Sequence, residues 1–205
     1  MTKGRSARRA ALSRERIVAA AAALVDREGA EALSARRLAS ELGCEAMSLY
    51  HHVPNMGGLL DAVVDDALGA IGLPEPDAAD PERQLLRMTA AYLKLAATRP
   101  QRFRVLGARR WRTPAELAYQ SRMIELLVRA GLEPRTALRA ARVLLVYLNG
   151  AGLAIAGWTL EGDQVPVDTA PPAVRGLLRY SKASAVAKDL RDGLDTILAA
   201  LLRER

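Results

Sequence analysis

The sequence of 205 residues is poor in the residue types that build disulfides, metal sites and catalytic centres, with one cysteine and two histidines. Cys44 alone cannot form a disulfide within the chain, and this usage is typical of a reducing compartment such as the cytoplasm. His51 and His52 are consecutive, so they point in different directions on a helix and cannot chelate one metal ion as an i, i+4 pair does. We therefore expect a cytoplasmic protein with no metal site and no cofactor.

Long hydrophobic runs are also few, and neither of the two candidates predicts a membrane partner. Residues 17–25 follow a basic N-terminus as in a secretion signal, but the charged residues 26–28 stand where a cleavage site would be small and neutral. Residues 143–160 carry no charge, yet they fall short of the roughly 20 residues that a membrane span needs, and they include three glycines. We interpret this run as a buried helix of a soluble domain.

Positive charge is what the chain has in excess, with a net charge of +7 at pH 7. Six basic residues against the single acid Glu15 lie in the first sixteen positions. Such a balance predicts a polyanionic partner, either nucleic acid or an acidic membrane surface. Residues 1–12 have no hydrophobic periodicity, so we expect a flexible basic arm of the kind that reaches DNA phosphates or the minor groove.

Apolar residues recur at helical spacing along the rest of the chain, and no strand pattern or internal repeat appears. We predict an all-α fold, with an N-terminal three-helix domain over residues 13–58 and a larger C-terminal helical bundle over residues 59–205. The predicted helices begin at the caps Ser13, Ser34, Asn55, Asp80 and Thr113, with further helices over 46–52, 135–157, 173–180 and 182–203.

The stretch "LGCEAMSLYHHV", residues 42–53, predicts a tight turn through Gly43 followed by a short helix, which together form a helix-turn-helix. Once Leu49 packs into the core, the other side chains of the short helix remain outside, as in a helix that enters the major groove. Met47 can touch a thymine methyl, and Tyr50 and the imidazoles can hydrogen-bond to phosphates or bases. A purely structural turn is the alternative; a Cys–His nucleophile would lack an orienting third group.

The region "SRERIVAAAAALVDREGAEALSARRLASELGCEAMSLYHHVPNMGGLLDAVVD" resembles the DNA-binding domain of the tetracycline-repressor (TetR) family. The matching elements are Gly29, Leu33-Ser34, Arg36-Arg37-Leu38-Ala39, Leu42-Gly43, Leu49-Tyr50, His52-Val53, Asn55 and Leu59-Leu60. The segments "PQRFRVLGARRWRTPAEL", "RAGL" and "YLNGAG" are similar to the family's C-terminal domain. The resemblance implies a homodimeric repressor whose C-terminal bundle binds a small-molecule effector and shifts the DNA-reading heads.

The resemblance also assigns the DNA contacts. Ser34 and Tyr50 would hold phosphates, while Arg36 and the exposed face of the short helix would read bases; the residues of that face are Ala46, Met47, Ser48, His51 and His52. The family's phosphate-binding lysine after the capping asparagine is replaced by Met56. If the arm compensates, deleting residues 1–12 weakens binding to operator and random DNA alike, with a shallower salt dependence.

The candidate effector-binding residues mix apolar walls with a few polar tips. They are Arg87, Met88, Tyr92, Leu106, Trp111, Tyr119, Met123, Leu145 and Tyr147. Taken singly, each fits a core position as well, because methionines and aromatics at helical spacing usually pack. Tetracycline repressors hold the drug's magnesium through a C-terminal histidine, and Leu106 falls near that place, so the resemblance implies an effector other than tetracycline–Mg²⁺.

Two features of the C-terminal region concern partners. The helices predicted over 135–157 and 182–203 carry more apolar surface than a monomer needs, which predicts a homodimer and a palindromic operator with half-sites about 34–36 Å apart. The arginines between Arg99 and Arg112 form a block without acids, which fits an anionic ligand, DNA phosphates or a solvated face.

Taken together, these patterns predict a ligand-responsive DNA-binding repressor that an inducer releases from its operator. Two other classes remain open. An architectural DNA-binding protein would show a specificity ratio near one between an inverted repeat and random DNA. A small all-helical enzyme would use the C-terminal cavity, but the sequence shows no phosphate loop, no recognisable carboxylate pair and no histidine there, so we expect no catalysis.

Overall fold

The computed structural model describes residues 11–75, 79–109, 112–162, 171–177 and 182–203. Within these ranges the regular structure is helical and no strand occurs, which confirms the predicted all-α class. The chain divides after Val63 into two compact units, here called unit 1 and unit 2. The proposed arm lies almost wholly outside the described residues.

Unit 1 is built from the first three helices, a 3₁₀ turn and the start of the fourth helix. Their bounds are α1 Arg14–Glu28, the turn Ala30–Ala32, α2 Ala35–Leu42, α3 Ala46–Leu49 and α4 Met56–Gly69. One hydrophobic core holds them together; it includes Ile17, Leu38, Leu49, Leu59 and Val63. Because α4 passes the division between the units, only its first half belongs to this core.

The predicted caps of unit 1 are confirmed. The hydroxyls of Ser13 and Ser34 each accept a hydrogen bond from the amide three residues later, at 3.3 Å. Gly43 ends α2 with φ 64° and ψ 42°, the left-handed conformation that favours glycine. The side chain of Asn55 accepts from the amide of Gly58 at 2.8 Å and so caps α4.

Unit 2 contains the rest of α4 and the remaining helices. Their bounds are α5 Pro81–Thr98, α6 Pro100–Ala108, α7 Pro114–Arg129, α8 Pro134–Glu161, α9 Pro172–Arg175 and α10 Ala183–Leu202. The helix α8 is central, since α5, α6, α7 and α10 all pack against it. Asp80 and Thr113 cap α5 and α7 as the sequence predicted, and each is followed by a proline at the first helical position.

Several predicted bounds were wrong. The short helix ends at Leu49, and residues 50–52 form a turn. The long helix does not stop near Gly157 but continues to Glu161, where Gly162 caps it with φ 75°. The helix α6 was not predicted, because its arginines hide the inward Phe103 and Leu106. The predicted helix over 173–180 appears as α9 only, and its last residues lie outside the described ranges.

The apolar run over residues 143–160 belongs to α8. This helix is long and apolar enough to cross a membrane by length and composition alone, with a mean hydropathy of 1.6 over its best window. The core helix of a soluble protein passes the same test. In this fold ten of its residues are buried within unit 2, as the sequence analysis predicted for a core helix.

Candidate nucleic-acid interface and effector-binding core

Three residues separate α2 from α3, and their backbone fixes how the two helices meet. The amide of Cys44 donates to the carbonyl of Ala39 at 3.0 Å, and that of Gly43 donates to Ser40 at 3.3 Å. These bonds satisfy carbonyls at the end of α2 that would otherwise have no intrahelical partner. A side chain at Gly43 would be strained in the left-handed conformation, so the glycine allows the abrupt turn into α3.

The helix α3 is anchored by one residue and exposes its neighbours. Leu49 is only 1 % exposed and packs in the core of unit 1 together with Val53. Two positions before Leu49, Met47 is 71 % exposed, and the following Tyr50 is 40 % exposed. A helix of four residues contributes little to a core, so its exposed apolar and aromatic side chains suit contact with a partner.

The other predicted DNA-binding residues lie on the same two helices and the turn that follows them. Ser34, Arg36 and His51 are exposed, and Ala46, Ser48 and His52 are half-buried. We name this set, with Met47 and Tyr50, the reading face. The hydroxyl of Ser34 also caps α2, because it accepts a hydrogen bond from the amide of Arg37.

Adjacent arginines on α2 have different environments. The Nη2 of Arg37 lies 2.7 Å from the Oε1 of Glu28, so its charge is neutralised within unit 1. Arg27 is likewise bonded to Glu41. Arg36 is exposed and forms no ion pair with the described residues. The positive charge that this helix offers to an anionic partner is therefore that of Arg36.

At the start of α1, Glu15 is exposed near His52. Hydrogen bonds from the backbone and from the Ser13 side chain lower the pKa of Glu15, and the charges of Arg14 and His52 add smaller effects in the same direction. The carboxylate is thus stabilised by the helix start. Of the two histidines, His52 is the one whose charge acts on Glu15.

The entry into α4 explains the two glycines that follow Met56. A Cβ at Gly58 would lie 2.9 Å from the Cγ of Pro54, and one at Gly57 would lie 3.1 Å from the Oδ1 of Asn55. Both glycines therefore allow the capping turn to close. Met56, the residue that replaces the family's lysine, is half-buried against the core of unit 1.

In unit 2, three aromatic rings form the centre of the interior. The ring centroids of Tyr92 and Phe103 are 5.1 Å apart in an edge-to-face arrangement, and those of Tyr92 and Tyr119 are 5.3 Å apart. The Tyr92 hydroxyl donates to the Oδ1 of Asn149 at 2.7 Å, and the Tyr119 hydroxyl donates to the carbonyl of Met88 at 3.1 Å. We name the three rings with Asn149 the aromatic cluster.

Burial controls the chemistry of these phenols. Desolvation raises the pKa of Tyr92 far above its ordinary value, and the nearby charge of Glu116 raises it further. Desolvation likewise raises the pKa of Tyr119. Both hydroxyls are therefore neutral donors at physiological pH. Glu116 is itself buried, but its carboxylate accepts from the amides of Arg112 and Thr113 at 2.7 and 2.8 Å.

The nine predicted effector-binding residues occupy different environments. Tyr92 and Tyr119 belong to the aromatic cluster, with Met88 bonded to it through its carbonyl. Leu106, Met123 and Leu145 are also buried in unit 2. Arg87 is exposed, Tyr147 donates to the carbonyl of Leu190 on α10 at 2.7 Å, and Trp111 lies outside the described residues.

Phe103, Asn149 and Gly152 are not among the nine effector-binding residues predicted from the sequence. A Cβ at Gly152 would lie 2.1 Å from the Cζ of Phe103, so glycine at this position admits the ring against α8. The sequence does carry a signal for a helix here, because Phe103 and Leu106 are spaced i and i+3 after a proline suited to a helix start. Arginines on either side of these two residues obscure the apolar pattern.

A cavity of about 600 Å³ opens along the end of α8, within the size range of small-molecule sites. Its described lining is Leu153, Ala154, Gly157, Trp158, Glu161 and Gly162, none of which was a predicted effector-binding residue. The Cγ of Leu153 would lie 3.0 Å from a Cβ at Gly107, one turn of α6 beyond Phe103. Leu153, which lines the cavity, therefore lies against α6 one turn from the Phe103 of the aromatic cluster.

Two consecutive carboxylates tie the second half of α4 to other helices of unit 2. The Oδ1 of Asp65 accepts from the amide of Ala115, in the first turn of α7, at 3.1 Å. The Oδ2 of Asp66 lies 2.8 Å from the Nη1 of Arg102 on α6. One arginine of the 99–112 block is therefore paired with an acid of α4. In the described part of the chain no three metal-ligating side chains cluster.

Known proteins that are similar to this chain share its N-terminal helices. Residues 17–63 match the model of a family described as "Bacterial regulatory proteins, tetR family". An HTH-type transcriptional regulator of Saccharopolyspora erythraea is 28 % identical over 152 residues, which are 74 % of this chain and 64 % of that protein. The HTH-type transcriptional repressor DrrR1 of Streptomyces coeruleorubidus is 52 % identical over 54 residues, 26 % of this chain and 20 % of its own length. The matches thus cover less than two thirds of either relative.

Solved structures extend the similarity to unit 2. The TetR family protein ActR of Streptomyces coelicolor, crystallised in complex with actinorhodin, is 27 % identical to this chain. Its TM-score is 0.75, and the alignment covers 94 % of this chain and 96 % of that one. The likeness therefore includes nearly all of both proteins.

Proposed function

This chain belongs to the tetR family of bacterial regulatory proteins, and we propose that it is a cytoplasmic, ligand-responsive repressor that binds a palindromic operator as a homodimer. In this proposal residues 13–58 bind DNA, while residues 59–205 bind the effector and the second subunit. A small-molecule inducer releases the operator. Homologues are transcriptional regulators by name, and we assign the chain no catalytic role.

The observation that carries the DNA-binding role is the reading face. Its helix is held by the buried Leu49, which leaves Met47 and Tyr50 exposed next to a turn that bears His51 and His52. In a helix-turn-helix such residues meet base edges in the major groove, while Ser34 and Tyr50 suit phosphate contacts. Arg36 adds a positive charge that no described acid neutralises, which suits an anionic duplex.

The exposed side of α8 supports a homodimer. Val146 is 74 % exposed and Val143 46 % exposed, and a Cβ at Gly150 would meet nothing within 4 Å. An apolar strip with small residues lets a second helix approach closely, and two subunits related by a two-fold axis then require two half-sites about 34–36 Å apart. We expect Val146→Glu to yield monomers in analytical ultracentrifugation, whereas Arg104→Glu, on the exposed side of α6, leaves the dimer intact.

The aromatic cluster, with the cavity at the end of α8, is our candidate effector site. The rings are packed against one another, so a ligand must favour an arrangement in which they part, or it cannot shift the equilibrium. Faces of Tyr92, Phe103 and Tyr119 and the amide of Asn149 suit a planar aromatic molecule that carries hydroxyl or carbonyl groups. Actinorhodin, bound by the similar ActR, is the first compound to try.

The contacts of α4 supply a route from effector to DNA. Movement of α6 or α7 would pull on Asp66 or Asp65, and the helix that carries them begins in unit 1 directly after the reading face. Only a ligand with different affinities for the two arrangements can drive this change.

Selection of bound fragments from the source genome, at physiological salt, tests the proposal. We expect recovered fragments to share an inverted repeat with half-sites one helical turn apart, and the protein to protect that repeat from nuclease digestion. Fragments without a shared repeat, bound no better than random DNA, would contradict the repressor and favour a sequence-independent architectural protein.

A further inference from the structure

Another, smaller cleft of about 290 Å³ lies between the end of α4 and the last two turns of α5, wholly within unit 2. It is separate from the aromatic cluster, because it uses another face of α5: Ala91, Lys94, Leu95 and Thr98 recur at i, i+3, i+4 and i+7. Its described lining is Ala67, Ala70, Ile71, Ala91, Lys94, Leu95, Thr98 and Arg99.

Small side chains explain why the cleft exists. Three of the five apolar lining residues are alanines, which leave space between two helices that longer side chains would fill. Gly69, in the same last turn of α4, is also open, since a Cβ there would meet nothing within 4 Å. The alanines thus give the cleft an apolar floor that a hydrocarbon group can contact.

The charge of the lining has one sign. Among the described lining residues two are ionisable, Lys94 and Arg99; both are basic and exposed, and none is a carboxylate. The Lys94 ammonium forms no ion pair with the described residues. The Thr98 hydroxyl donates to the Lys94 carbonyl at 2.9 Å, which leaves its oxygen free to accept.

From this juxtaposition we propose that the α4–α5 cleft is a binding site for a small amphipathic organic anion, with its carboxylate at Lys94 and its apolar tail on the alanine floor. The volume lies at or just below the lower end of the roughly 300–1,000 Å³ usual for drug-sized ligands, which indicates a medium-chain or single-ring acid. The inference is independent of the proposed repressor function, because it concerns binding only. A ligand here would touch the last turn of α4 and so could bias that helix.

Isothermal titration of the full chain with decanoate, at neutral pH and below its micelle concentration, tests the site. Decanol supplies the same tail without the charge, and decyltrimethylammonium supplies the opposite charge. We expect decanoate to bind with one site per chain and more tightly than either of the other two. No decanoate binding, or equal binding of decanol, overturns the proposal.

Variants locate the bound anion. Lys94→Ala should weaken decanoate binding about three- to fivefold, the effect of losing an exposed charge pair, and Lys94→Arg should restore it. Lys188→Ala, which removes a lysine of α10 paired with Asp192, is the matched control and should change nothing. Decanoate affinity that Lys94→Ala leaves equal to that of the control would place the anion elsewhere and refute the site. Far-ultraviolet circular dichroism of each variant verifies the fold.

Discussion

In unit 1 the apolar side chain of Met47 stands 71 % exposed on a helix of four residues, whereas in unit 2 the rings of Tyr92, Phe103 and Tyr119 are buried against one another. The exposed Met47 side chain can contact a partner without any rearrangement of unit 1. The arrangement in unit 2 has its hydrogen bonds satisfied and must rearrange to admit a ligand. A repressor that a ligand releases needs this difference. Its DNA-binding side chains must be accessible without the ligand, whereas binding of the ligand must be coupled to a change of conformation.

Substitution of two near neighbours on α3 gives the largest contrast. Leu49→Ala should lower the free energy of unfolding by about 2–5 kcal/mol, because it empties part of the core. Met47→Ala should change it by less than about 0.5 kcal/mol, because the side chain is exposed. Urea denaturation followed by circular dichroism measures both. Equal losses of stability would mean that Met47 is packed, and the reading face would be wrong.

In unit 2 the same kind of test uses two glycines of α8. Gly152→Ala should lower the free energy of unfolding by about 1–3 kcal/mol, because the new Cβ overlaps the Phe103 ring. Gly157→Ala is the matched control: its Cβ meets nothing, so alanine should stabilise the helix by up to about 1 kcal/mol. If both variants gain stability to the same extent in urea denaturation, Phe103 is not held against α8.

Alkaline pH sharpens the contrast, since it acts on the buried phenols. Burial raises the pKa values of Tyr92 and Tyr119, so the folded protein keeps both protons above the usual tyrosine pKa near ~10, where the unfolded chain loses them. Stability should be unaffected below that pH and fall above it, by at most about 1.4 kcal/mol per pH unit for each tyrosine. Denaturation midpoints of wild type and Tyr119→Phe, compared at increasing pH, should converge; parallel curves would contradict the closed interior.

The smallest expected effect concerns the link of α4 to α6. A double-mutant cycle with Asp66→Asn and Arg102→Gln should give a coupling of about 1 kcal/mol or less, because Asp66 is half exposed. The exposed pair Lys188 and Asp192 is the control and should give less still, about 0.3–0.5 kcal/mol. If the coupling energy between Asp66 and Arg102 were zero, the proposed link from unit 2 to α4 would depend on the hydrogen bond from the Ala115 amide to the Asp65 carboxylate.

The features that the sequence predicts well are local. Caps such as Ser34, Asn55 and Thr113, and the turn at Gly43, depend on one residue and its next three or four neighbours, so short patterns suffice. Exposure of Met47 also follows from the local rule that Leu49 must face inward. The positions of the reading face on α2, α3 and the following turn could therefore be predicted from the sequence. The helix α3 is shorter than its pattern suggested.

The interior of unit 2 could not be predicted in the same way, because it depends on contacts between distant segments. Tyr92 and Asn149 are 57 positions apart, and Phe103 needs a glycine on α8 to lie where it does. Candidates chosen by residue type alone included the exposed Arg87 and also Tyr147, which bonds to α10. Periodicity reveals which side of a helix faces inward but not which other helix it meets.

We propose that the side chains of the reading face recognise bases. The decisive measurement is the ratio of affinities for a selected inverted repeat and a scrambled duplex, determined at one physiological salt concentration for wild type and the double variant Met47→Ala, His51→Ala. We predict that the ratio falls by an order of magnitude or more in the variant, while unfolding and subunit association stay unchanged. A variant that folds and associates normally yet keeps the full wild-type ratio would contradict this account.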